Sequence, residues 1–247
     1  MQCTHRVSML MKKQLISQKI FIMGKDKIRR FEENKTFENV VQPTREEVLN
    51  NFPLKGNWRK DFFKNDLPIV LELGCGKGEY TVAMARLDAN RNFIGIDIKG
   101  ARFWRGAKTA IEENLPNVGF LRTQIELIHH LFDRNEVDEI WITFPDPQIK
   151  YRRTKHRLTH PEFLNRYAQI LKPEGTVNLK TDSEFLHGYT HGVLQMLGYK
   201  VLKSSHDVYH PDHADIPAIV TDVQTFYESK FLEEGKKITY IRFKLTP

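Results

Sequence analysis

The stretch PIVLELGCGKGEYTVAMARLDANRNFIGID, Pro68–Asp97, decides the fold. It opens on a short apolar run bounded by Pro68 and Gly74, which reads as a strand buried on both faces. GEYTVAMARLD then carries apolar residues at helical spacing, and NFIGID is a second buried strand. Between the first strand and the helix stand Gly74, Gly76 and Gly78. They let the backbone turn sharply and approach a ligand with no side chain in the way. Strand, glycine turn, helix, strand, acid is the layout of a parallel α/β unit, whose ligands lie beyond the carboxyl ends of the strands.

Working outward, the alternation continues. KGARFWRGAKTAIEENL is a helix and VGFLRTQ a strand; VDEIWITFP is a strand and PEFLNRYAQIL a helix. GTVNLKTD, SEFLHGYTHGVLQML, YKVLKSS, VQTFYESKFLEEG and ITYIRFKL complete the series as strand, helix, strand, helix and strand. This predicts a mostly parallel, seven-stranded sheet with helices on both faces and right-handed crossovers, forming one domain over residues 41–247. At its start TREEVLNNF has helix-entry chemistry, with Thr44 as N-cap and Glu47 at the capping-box position. Residues 1–40 are basic and poorly periodic and are expected to form a flexible arm, with 1–22 a dispensable extension and Met23 an alternative start.

Composition narrows the function. The chain has 247 residues, 40% of them hydrophobic, and no apolar run of the roughly 18 residues that a membrane span needs. Its two cysteines, Cys3 and Cys75, do not make a disulfide framework and fit a reducing, cytoplasmic setting. Cys75 has no base nearby in sequence and reads as a packing residue. His210 and His213 in HPDH lack the further spaced ligands of a metal site, so no metal is expected. The net charge of +7 favours polyanionic partners. Much of it is clustered: Lys150, Arg152, Arg153, Lys155 and Arg157, with His156, follow the proline-bracketed Asp146 in FPDPQIKYRRTKHRL.

The glycine turn belongs to neither common nucleotide loop. Glu79 occupies the third glycine's place of a dinucleotide fingerprint, and Lys77 is followed by glycine rather than by the Ser or Thr of a P-loop. Asp97, ending the second strand, is placed to accept hydrogen bonds from both hydroxyls of a ribose. Glu72 beside the turn would repel a pyrophosphate and favour a cationic nucleoside such as S-adenosylmethionine.

LELGCGKG, FIGID, FPDPQIKYRRTKHRL, LKTD and QTFYESKF stand in the order and spacing of bacterial tRNA guanine-N7 methyltransferases (TrmB), which the chain resembles over about residues 40–245. The resemblance implies a class I S-adenosylmethionine-dependent methyltransferase fold, Rossmann-like, acting on guanine 46 of the tRNA variable loop. It implies cofactor contacts at Glu72, Asp97, Gln124 and Asp146. It implies substrate contacts at Lys150, Asp182 and Thr225 to Glu228, with residues 152–157 in the RNA-binding segment. Gln124 replaces the family's usual Asp or Asn, and Gln148 replaces a frequent Trp. No protein partner is implied, and both monomer and homodimer remain open.

The chemistry agrees. Guanine N7 has a free lone pair and no proton to remove, so alignment is the main requirement, and carboxylates at Asp146 and Asp182 would stabilise the positive charge developing on the base. Plainer roles stand beside these. Asp146 could form a turn, Asp182 could cap a helix, Thr225 and Glu228 are spaced as a capping box, and the cationic run could be a solvated loop. Trp104 and Phe103 read as core. The alternatives are a methyltransferase of this fold acting on another RNA, a protein or a small molecule, and a non-catalytic RNA-binding protein.

Overall fold

The computed structural model describes residues 26–211 and 216–246. The extension expected at 1–22, with Cys3, and His213 of the HPDH motif lie outside the described residues. The order of elements is α1 (residues 26–33), β1 (Val40–Val41), α2 (Arg45–Asn51), β2 (Ile69–Leu73), α3 (Glu79–Leu87), β3 (Asn92–Asp97), α4 (Gly100–Glu112) and β4 (Val118–Arg122). Then come α5 (Ile128–Leu131), β5 (Val137–Thr143), α6 (Pro161–Ile170), β6 (Leu171–Thr181), α7 (Glu184–Leu197) and β7 (Val201–Ser205). The last elements are α8 (Ala218–Asp222), α9 (Phe226–Glu233) and β8 (Thr239–Phe243).

The strands form one sheet in the order β1-β4-β3-β2-β5-β6-β8-β7, parallel from β1 to β6, with β8 antiparallel to both neighbours. It has eight strands, one more than the seven expected. The extra one is the two-residue edge strand Val40–Val41, too short to carry a periodic signal, which pairs with Phe120 and Leu121. Strand order reverses at β2, which lies between β3 and β5, so the glycine turn leaves the sheet at the switch point.

Alternation along the strands divides the core. Ile69, Leu71, Leu73, Ile94, Ile96, Ile140 and Ile142 face one side with Leu164, Tyr167 and Leu194 from α6 and α7. Val70, Phe93 and Trp141 face the other with Tyr80, Met84, Phe103 and Ala107 from α3 and α4. Phe103 and Trp104 are core residues, as expected. Residues 26–40, expected as an arm, instead pack on α4. The Arg30 guanidinium lies 4.9 Å over the Trp104 ring, and the Trp104 indole N–H donates to Glu33 at 3.0 Å. Buried Asn34 donates to the Gly100 carbonyl at 2.9 Å. Their charge pattern reads as solvated because the ring they cover lies far along the chain. The Thr44–Glu47 capping box forms as expected.

Candidate active site

Glu72 lies on the α3 face of β2, because alternation puts it on the same side as Val70. It is only 2% exposed, and both carboxylate oxygens accept hydroxyl hydrogen bonds, one from Thr81 and one from Thr143 at 2.6 Å. Thr81 reaches it because the residue paired with Glu72 on β3 is Gly95; a Cβ there would stand 2.7 Å from the Thr81 hydroxyl. Burial pushes the Glu72 carboxyl up to about 7, against the lowering effect of the two hydroxyls.

The turn after β2 is held by its own backbone. Gly74 N–H and Cys75 N–H both donate to the Ile96 carbonyl, at 2.8 and 3.1 Å. Gly78 has φ +76°, and a Cβ there would meet the Phe120 ring at 2.5 Å, so only glycine fits. Asp97, 8% exposed, accepts from the Gly76 N–H at 3.1 Å and from the Lys99 N–H at 2.8 Å. The acid is thereby tied to the glycine turn. Cys75 is buried and free, and burial raises its thiol well above the usual range, in keeping with a packing role.

Two cavities open along this edge. One of about 120 Å³ is lined by Glu72, Gly74, Gly76, Thr143, Thr225 and Tyr227. The other, about 210 Å³, is lined by Ile98, Thr123, Gln124 and Leu127 with Arg45 from α2. Asp97 ends the strand that leads directly into Ile98. The Gln124 side-chain oxygen accepts from Arg45 at 2.9 Å, leaving its amide N–H groups for a ligand. A cationic nucleoside fits this set: the buried carboxyl for the cationic end, Asp97 for the ribose, and exposed Ile98 with Gln124 for the base. Ile98 had no sequence signal beyond its place after Asp97.

Asp146 and Asp182 leave the sheet together, since Thr143 pairs with Lys180 and the Phe144 N–H donates to the Lys180 carbonyl at 2.8 Å. Asp146 is exposed, and one of its oxygens accepts the Gln148 N–H at 2.9 Å, so it does form the turn. Phe144 and Gln148, both at φ +46°, bracket it in a conformation that non-glycine residues rarely adopt. Asp182 is not the cap of α7; Ser183 is, accepting from the Leu186 N–H. Asp182 pairs instead with Lys236 at 3.4 Å.

Two of the expected substrate contacts are buried. Glu228, 0% exposed, forms an ion pair at 2.7 Å with Lys180, also 0% exposed, and accepts from the Tyr209 hydroxyl at 2.8 Å. It completes the capping box with Thr225 and so sets the position of Thr225, which lines the smaller cavity. The Lys180 ammonium donates to the Val223 carbonyl at 2.9 Å and lies 5.3 Å from the Tyr80 ring centre. Burial lowers its pKa while Glu228 opposes the shift. Lys180 carries no signal of its own in LKTD, because its partner is 48 residues away. Arg157, 5% exposed, is removed from the cationic arm. Its guanidinium lies 4.8 Å over Phe185 and 4.3 Å over Tyr189 and donates to the carbonyls of Pro147 and Gln148. Lys150, Arg152, Arg153 and Lys155 are exposed and pair with no acid among the described residues. No group of His, Cys, Asp and Glu among the described residues could hold a metal.

A switch-point glycine turn, with an acid at the end of the next strand and an antiparallel β8 inserted between β6 and β7, defines a class I methyltransferase fold. The fold is similar to that of the 16S rRNA methyltransferase KamB, with a TM-score of 0.55 at 16% identity over 73% of this chain and 88% of that one. A family model described as "Putative methyltransferase" matches residues 66–241. A tRNA (guanine-N(7)-)-methyltransferase of Christiangramia forsetii is 65% identical over 90% of this chain and 99% of its own length. One of Bacteroides thetaiotaomicron is 44% identical over 90% of this chain and 87% of its own. The chain belongs to the tRNA (guanine-N(7)-)-methyltransferase family.

Proposed function

We propose that this chain transfers the methyl group of S-adenosylmethionine to N7 of guanine 46 in the tRNA variable loop, in the cytoplasm. One observation carries the reading. A carboxyl group and a ribose acid are buried at the sheet's switch point, and the loop of the adjacent strand carries an exposed row of cations. When bound, the cofactor supplies an electrophilic methyl group on a sulfonium. Glu72 holds the charged end of the cofactor and Asp97 the ribose, each fixed in advance by its own hydrogen bonds. Gln124 donates to the base, with Arg45 orienting its amide. Lys150, Arg152, Arg153 and Lys155 hold phosphates. Thr225, set by its capping box, meets the substrate at the cavity mouth.

Asp146 and Asp182 place negative charge where the purine becomes cationic. The test is single-turnover methyl transfer to unmodified tRNA, with the modified base mapped. Asp146→Asn and Asp182→Asn should each slow transfer roughly tenfold to a thousandfold, with a much smaller change in tRNA affinity. Raising the pH should not restore the rate, since N7 bears no proton. Recovery at high pH would identify a general base instead, and methylation of a transcript lacking guanine 46 would refute the assigned position.

A further inference from the structure

Beside the cationic arm lies a cavity of about 640 Å³ that the roles above leave unused. Its walls are Ile149 and Tyr151 on one side and Phe185 and Tyr189 of α7 on the other, with Arg157 stacked between the two rings of α7. Ile149 is exposed, and Tyr151 stands 93% exposed at the start of the 3-10 turn Tyr151–His156. Such a ring has no packing role and presents a bare face. Both walls grow out of the loops that carry the two acids, since Ile149 is three residues beyond Asp146 and Phe185 three beyond Asp182. Glu184 is the one acid of its lining, against the four exposed cations of the adjoining loop.

The α7 wall carries a second sign. Gly188 lies within α7, where glycine is about 1 kcal/mol less favourable than alanine. A Cβ at that position would meet no atom within 4 Å beyond the neighbouring backbone of its own helix, so packing does not require glycine there. What the missing side chain leaves is open space along the α7 side of the groove.

We infer that this groove takes one unstacked base of the same RNA, a near neighbour of the methylated guanine, with its face against Tyr151. The inference rests on the RNA reading above. The charge of the adjoining loop selects a polyanion, and an exposed aromatic face beside such cations suits a nucleobase of any identity. The base held here would keep the strand from restacking and so fix the direction from which the guanine enters. Ring stacking, not charge, is the interaction, so it differs in kind from what Arg152, Arg153 and Lys155 supply.

Tyr151→Ala should weaken tRNA binding roughly five- to a hundredfold, the loss expected for one base–aromatic stack. The slope of log affinity against log salt should not change, and Tyr151→Trp should bind as the wild type does. Gly188→Leu fills the groove from its α7 side and should cause a similar loss while the fold stays intact by thermal melting. Among transcripts with a single abasic site at each nucleotide flanking the target guanine, one should reproduce the loss with wild-type protein. That same transcript should show no further loss with Tyr151→Ala. If wild type methylates tRNA while both variants bind it normally, the groove is not a base site and is left to a protein partner. A wild type that neither binds nor methylates tRNA would sink the function and the groove together.

Discussion

Asp97 and Asp146 sit at the same edge of one sheet and are built in opposite ways. Asp97 is buried, and two backbone N–H groups tie its oxygens to the glycine turn and to the start of α4. Asp146 is exposed and held by a single bond from within its own turn. The contrast extends to their surroundings. Glu72 has both oxygens satisfied by threonines, whereas the cations after Asp146 stand in solvent. A small ligand of constant shape can be met by groups fixed before it arrives. A polyanion is attracted at a distance and through many weak contacts, which need exposed charge.

The largest effect should come from the pair beneath both regions. Lys180→Met leaves Glu228 buried without its cation, and should cost about 3–5 kcal/mol in chemical denaturation. Adding Glu228→Gln removes that charge and keeps the cap, so the double variant should recover part of the loss. A cost for Lys180→Met below about 1 kcal/mol would show that the pair is dispensable.

Next is the cofactor side. Asp97→Ala should weaken S-adenosylmethionine binding roughly tenfold to a hundredfold by calorimetry, as loss of charge-assisted hydrogen bonds would. An unchanged dissociation constant would leave Asp97 as a brace for the glycine turn alone. On the arm, replacing Arg152, Arg153 and Lys155 with Ala should lower the salt slope of tRNA binding by about 0.7–0.9 for each phosphate no longer neutralised, and leave cofactor affinity alone. If cofactor affinity fell as well, the two regions would not be the separate devices described.

The smallest effect concerns Glu72. Burial holds its carboxyl up at about 7, so its negative charge grows as the pH rises from 6 to 8. A sulfonium prefers the ionised form, so S-adenosylmethionine should bind several-fold tighter at pH 8 than at pH 6 relative to the uncharged-sulfur product, S-adenosylhomocysteine. The fold responds in the other direction. A pKa raised above its unfolded value contributes stability that is complete below about 4.5 and lost as the pH rises through about 7. Glu72→Gln should therefore flatten both pH dependences, and a ligand ratio that did not vary with pH would place the sulfonium elsewhere.

How much of this was legible depended on where each residue's partner lay. The strands from Ile69 to Thr143 could be read because burial on both faces writes an apolar run into the sequence itself. β6 begins at Leu171, earlier than GTVNLKTD suggests, because its pairing with β5 is interrupted between Leu171 and Thr176, where Pro173 and Gly175 read as a turn. The capping boxes at Thr44 and Thr225 could be read because both halves lie within one turn of helix. Lys180, Arg157 and residues 26–40 could not. Each is a charge whose companions are distant in sequence, and a solvated charge and a buried paired one are spelled with the same letters. The run of basic residues marks where the arm is but not how far it reaches, and Arg157 belongs to the scaffold.

Phe144 and Gln148 have a consequence for how such a protein changes over time. Each holds an L-residue at φ +46°, a conformation that costs about 1–3 kcal/mol, on either side of Asp146. Selection for heat tolerance alone would find an easy gain there, since Gln148→Gly relieves the conformation at once. The same change would free the Asp146 turn to wander, so a sturdier chain would transfer methyl more slowly if Asp146 acts as proposed. Bulky residues at these two positions are what a chain selected for turnover, rather than for resistance to unfolding, would keep.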